Sequence, residues 1–426
     1  NTRTLWIGLV LVTLLSFSVL LFFGKEIYRL KPPIPEKVVS DSGEVLFTAQ
    51  QIKDGQNVWQ SIGGQQVGTV WGHGAYLAPD WSADWLHRES QTILGGWSES
   101  EFGLPFDKID KEKQAMLEVR LQKALRANTY DQQTGILTLT ADRVQAVNGN
   151  AAYYAGLFMN DPALESLRES YSIPANTVKE KGRMDAMNAF FFWAAWACVT
   201  ERPGSELTYT SNWPPDPVIG NKPSAGVVLW TGFSVIMLLV GVGLLAYYNA
   251  RNRSDVIDRS LLPQDDPLGG LNPTPSMKAV LKYYWVVVGL ILLQILTGVI
   301  TAHYGVEGSG FYGLSLDSIM PYSISRTWHI QLALFWIATA WLAAGLYIAP
   351  AVSGHEPKFQ KFGVNLLFFA LLVIVLGSMA GEWMGVMQKL GLVKNFWFGH
   401  QGYEYVDLGR FWQIFLFAGF IIWLFL

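Results

Sequence analysis

The stretch "YYWVVVGLILLQILTGVITAHYGVEG" runs from Tyr283 to Gly308. Residues 283–302 are almost wholly apolar, matching the ~20 residues a helix needs to cross a hydrocarbon core. His303 and Glu307 then follow four positions apart, at the lip of that span. They share a helical face if the helix continues past Ala302. Gly305 and Gly308 argue against a long continuation, but one further turn is expected.

The rest of the chain reads the same way. Half of its 426 residues are hydrophobic and 15% are charged, against ~25% in an average soluble domain. The mean hydropathy is positive, and 18 Trp, 17 Tyr and 24 Phe complete a membrane-protein composition. A formal net charge of −3 gives no sign of nucleic-acid binding. Cys198 is the single cysteine, which excludes an internal disulfide, a CxxCH haem attachment and a cysteine-rich metal site.

Six stretches have the length and apolarity of spans: Leu5–Phe23, Gly226–Tyr248, Tyr283–Ala302, Trp328–Ala349, Val364–Ala380 and one beginning near Leu408. The first exceeds the ~7–15 residues of a signal-peptide core and no A-x-A site follows, so it reads as an anchor. The last ends within "FIIWLFL", which reads as a fragment of a longer protein. The expected organisation is an anchor over 1–28, a mostly helical extramembrane domain over 29–188, an aromatic interfacial or packing segment with a linker over 189–224, and core helices over 225–426. "RLKPPIPEKV" (29–38) is a stiff exit from the anchor, and "AFFFWAAWACV" (Ala189–Val199) is too short to span. Basic residues Arg251, Arg253, Arg259, Lys278, Lys282, Lys358 and Lys361 place loops 249–282 and 351–363 inside. The extramembrane domain and loops 303–327 and 381–407 then share the outer side.

Four segments could carry chemistry. In "SRTWHIQLALFW" (Ser325–Trp336), His329 lies within a span, where an unpaired histidine is costly and a functional role is the default. A neutral imidazole can ligate haem iron, and Arg326, three residues earlier on the same face, suits a propionate. The alternative is an interfacial histidine bonded to a neighbouring helix. His303 and Glu307 are suited to accept protons from the two hydroxyls of a quinol, since both can titrate near neutrality when partly desolvated. The alternative is a plain polar helix end. In "WGHGAYLAPDW" (Trp71–Trp81), glycines leave carbonyls free for a hard cation such as Ca²⁺; the alternative is an aromatic-rich turn. "HQGYEYVDLGRFWQ" (His400–Gln413) puts Glu404 before the last span. His73, His87, His355 and His400 lack partners at metal-ligand spacing and read as bland.

Together with "YTSNWPPDPVIGNKPS" (Tyr209–Ser224), these segments resemble the N-terminal part of quinol-dependent nitric oxide reductases, members of the haem–copper oxidase superfamily, over essentially the whole chain. The resemblance implies a membrane all-α fold: a bundle of transmembrane helices with a cytochrome c-like domain that lacks haem c. It implies reduction of two NO to N₂O and water in denitrification, with electrons from membrane quinol. It implies that His329 is an axial ligand of low-spin haem b, Arg326 its propionate partner, and His303, Glu307 and Phe311 the quinol site. It further implies that Glu404, with the carbonyls of Gly74 and Tyr76, binds calcium. The ligands of haem b3 and of a non-haem iron are expected on later helices, because no HxxxH, HE or HH pattern occurs here. The expected location is the bacterial inner membrane, multi-pass in the lipid bilayer, with the soluble domain periplasmic; a homodimer is compatible with this. The alternatives are a quinol oxidase reducing O₂, and a non-catalytic receptor or transporter with an extracellular domain.

Overall fold

Long apolar runs bounded by polar caps form the longest helices. The structure, a computed structural model, describes residues 2–252, 269–402 and 406–426. The chain divides into two compact units, one of Asn1–Ala49, Leu86–Ala146 and Trp193–Pro223, the other of Gln50–Trp85, Val147–Phe192 and Ser224–Leu426.

In the first unit, helix α1 (Thr2–Leu30) is the apolar anchor segment. A small sheet follows, with strands β1 (Lys37–Ser40) and β2 (Val45–Thr48). α4 (Lys111–Arg126) starts at Asp110, whose carboxylate accepts from the Lys113 amide, and buries the stripe Leu117, Leu121 and Leu125. β5 (Tyr130–Asp131) and β6 (Ile136–Leu139) complete the sheet in the order β2-β1-β6-β5, with β1 parallel to β6 and Lys37 opposite Ile136. Arg143 and Glu89 form a buried ion pair at 2.7 Å. The proline-rich segment before the second span is ordered by Asn221, whose amide donates to the carbonyls of Cys198 (2.9 Å) and Pro214 (3.1 Å).

The second unit begins with α2 (Ala49–Ser61), the hairpin β3 (Thr69–Val70) and β4 (His73–Gly74), and the start of α3 (Trp81–Phe102). α5 (Ala141–Phe158), the short α6 (Glu165–Ser170) and α7 (Lys181–Val199) follow. Trp81 stacks on Phe191 (6.1 Å between centroids) and Trp85 on Tyr154 (5.3 Å), giving an aromatic core. The stretch Ala189–Val199 is buried throughout, apart from a partly exposed Trp193.

The membrane portion comprises α8 (Ala225–Asn252), α9 (Pro275–Glu307), the hairpin β7 (Gly310–Phe311) and β8 (Leu314–Ser315), α10 (Tyr322–Ser353), α11 (Gln360–Val386), α12 (Leu392–Phe398) and α13 (Arg410–Phe425). Among the described residues five helices are long and apolar enough to cross a membrane: α1, α8, α9, α10 and α11. α13 is a shorter apolar helix and covers the sixth candidate stretch, the one beginning near Leu408. α9, α10, α11 and α13 share a core that includes Leu290, Leu332, Phe335, Leu371, Ile374 and Trp412. Small residues permit the close approach: a Cβ at Gly377 would lie 2.1 Å from the Trp412 ring. At one end of the bundle Ser276 donates to Glu356 (3.3 Å); at the other, Tyr304 donates to the Met320 carbonyl (2.7 Å) and Trp383 to that of Ile319 (2.8 Å). The lysine-bearing 275–282 and 354–361 segments therefore lie at one end and the His303–Glu307 segment at the other.

Candidate functional site

α9 does continue past Ala302, to Glu307, and Gly308 ends it at a φ of 66°. His303 and Glu307 consequently share one face, with Nδ1 and Oε2 3.4 Å apart. The β7–β8 hairpin folds back on this end. The Tyr312 amide donates to Glu307 Oε2 (3.4 Å), and the Tyr312 ring lies 5.0 Å from the His303 ring. Phe311 is in β7, paired through its backbone with Leu314. The His303 and Glu307 side chains are 20% and 35% exposed.

His329 lies in the third turn of α10. Its Nδ1 is 2.8 Å from the Gln294 carbonyl of α9. A carbonyl only accepts, so Nδ1 carries the hydrogen, and in the neutral ring Nε2 keeps its lone pair. A metal-ligating histidine is ordinarily oriented by such a bond. Gly298, one turn further along α9, makes room for the ring: a Cβ there would lie 2.7 Å from both Cε1 and Nδ1. Gln294 is itself held, its Oε1 accepting from Trp336 Nε1 at 2.8 Å. His303 is five residues beyond Gly298, about 7.5 Å further along the helix axis.

Arg326 donates to Gln66 Oε1. Gln66 belongs to a 3-10 turn, Gly64–Gln66, that joins three of the segments singled out from sequence. The Gln65 carbonyl accepts from the Ala75 amide (2.7 Å), which pins the turn bearing the Gly74 and Tyr76 carbonyls. The Gln65 side chain donates to Asp407. Asp407 also accepts from the amides of Gln401 and Gly402 and from His400 Nδ1, the last at 2.6 Å. Four donors thus converge on one buried carboxyl group. Glu404 lies outside the described residues. Among the described residues no three His, Cys, Asp or Glu side chains cluster as a metal site.

His400, bland by its spacing, makes a contact that the sequence did not announce. It has a partner, Asp407, and both are buried. Asp407 and Glu382 were not singled out from sequence. Asp407 sits seven residues from His400 across an irregular loop, so no periodicity signals the pair. Glu382 was detectable only as a lone acid near the end of an apolar run.

Two family models match this chain. The model for the NorB cytochrome c-like domain of nitric oxide reductase covers residues 35–215, and that for cytochrome c and quinol oxidase polypeptide I covers 278–426. The chain belongs to the haem–copper oxidases, with the domain pairing of a NorB-type nitric oxide reductase. No curated protein matches it. A haem–copper oxidase of this type is a multi-pass membrane oxidoreductase with haem cofactors. The His329 imidazole fits that chemistry, being tethered through Nδ1, seated against a glycine and free to offer Nε2. The cytochrome c-like domain of this haem–copper oxidase has no cysteine pair for a covalent haem. Membership of an oxidoreductase family removes the receptor and transporter readings.

Proposed function

We propose that this chain belongs to a quinol-dependent nitric oxide reductase, in which two NO, two electrons and two protons become N₂O and water. The observation that carries the reading is the oriented His329 imidazole a short distance along α9 from the His303–Glu307 pair. His329 Nε2 would hold a haem b, which would supply one-electron chemistry. Arg326 would neutralise a propionate, exchanging its Gln66 partner for a charged one. His303 and Glu307 accept hydrogen bonds from the two quinol hydroxyls, and the protons leave through them as the quinol is oxidised. The absence of a c-type haem motif favours a donor that arrives through the bilayer. Phe311 sits beside that site in sequence and would line it.

The carbonyls of Gly74 and Tyr76 with Glu404 are proposed to hold calcium. Haem b3 and the non-haem iron would take ligands outside this sequence. The proposed setting is a bacterial inner membrane with the 29–224 region on the periplasmic side. Oxygen is the alternative acceptor, favoured by the oxidase name of the second family model; the first model favours NO.

The experiment is turnover of the full-length protein in detergent. His303→Ala should abolish quinol-driven NO consumption with haem content intact, and His329→Ala should remove the low-spin haem absorbance. Full quinol oxidation by His303→Ala would overturn the site.

A further inference from the structure

α11 turns one face, Ser378, Gly381, Glu382 and Gly385, into the bundle. Glu382 is fully buried, and neither carboxyl oxygen has a hydrogen-bond partner among the described residues. Among the described residues, the groups that face it are Gln331 and Trp328 of α10 and, as a charged neighbour, Asp407. Arg326 is engaged by Gln66, and the Lys389 ammonium lies over the Trp383 ring at 3.9 Å, so neither serves as counter-ion.

The neighbours' hydrogen bonds narrow the options. The Ser378 hydroxyl donates to the Val375 carbonyl (3.2 Å), so it accepts from Gln331 Nε2 (3.2 Å). That fixes the amide and leaves Gln331 Oε1 as an acceptor without a donor. Trp328 Nε1 is a donor without an acceptor. A carboxylate offers only acceptors, and its charge is costly in a membrane bundle with a second carboxyl group nearby. A bound cation would repel the Trp328 N–H. A carboxylic acid supplies one donor and one acceptor, which is what the two unpaired partners require.

We propose that Glu382 is a proton-holding site: a neutral carboxylic acid buried in the bundle beside the haem-bearing helix. This assignment is independent of which electron acceptor the whole protein uses.

Infrared spectroscopy of the full-length holoprotein tests it. The expected result is a carboxylic C=O stretch that falls slightly in D₂O, moves on ¹³C-glutamate labelling (unlike haem propionates) and vanishes in E382Q. A second variant, W328F, should keep the band but raise its frequency, because it removes the indole donor. An E382Q spectrum that superimposes on wild type in this region overturns the proposal. So does a band that W328F leaves unmoved, which also covers the case in which E382Q does not accumulate.

Discussion

Gly298→Ala is the sharpest test of how the imidazole is held. The added methyl would start 2.7 Å from Cε1 and Nδ1 of His329, where carbon contacts settle at about 3.5–4.0 Å. The ring must retreat by about 1 Å, and that motion breaks the 2.8 Å bond to the Gln294 carbonyl. Overpacking of this kind costs about 1–3 kcal/mol and the lost hydrogen bond about 1, so haem retention should weaken roughly 30- to 1,000-fold. The assay is the reduced low-spin absorbance per mole of full-length protein, with total haem from the pyridine adduct. Gly289→Ala is the control on the same helix: nothing lies within 4 Å of its Cβ, so it should be silent or slightly stabilising. A Gly298→Ala protein with full low-spin absorbance and an unchanged midpoint potential would refute the tether.

Three further outcomes are expected. Trp336→Phe removes the donor to Gln294 Oε1 but leaves the main-chain bond, so thermal stability should fall by about 1 kcal/mol with the low-spin spectrum intact. Arg143→Ala strands the buried Glu89 and should cost about 3–5 kcal/mol by thermal denaturation of the full chain, while Arg143→Met with Glu89→Leu should recover most of it. Asp407→Asn weakens four converging bonds, including that from His400; a loss of about 3 kcal/mol and faster proteolysis of the 400–409 segment are expected.

Much of the membrane architecture was legible because span length and apolarity are local properties. Residues 283–302 marked the core of α9, but the helix runs from Pro275 to Glu307. The extension comes from its caps, Thr274 accepting from the Met277 amide and Gly308 turning the chain out, which hydropathy does not weigh. β6 runs parallel to β1, which lies about a hundred residues earlier, and nothing local in the sequence records that pairing. The His303–Glu307 pair was visible from i,i+4 spacing. His400 was passed over because its partners are Asp407, across a loop, and through it Gln65, 342 residues from Asp407. Glu382 carried no sequence signal beyond its charge, since its character comes from the bonds its neighbours fail to make.

The oxygen that steadies the imidazole belongs to the peptide chain, and it is shared: the Thr297 hydroxyl also donates to it at 3.0 Å. No replacement of the residue 294 side chain deletes that oxygen. Drift at that codon leaves the ring's anchor in place, and the vulnerable spot is displaced to a neighbour whose contribution is having no side chain at all.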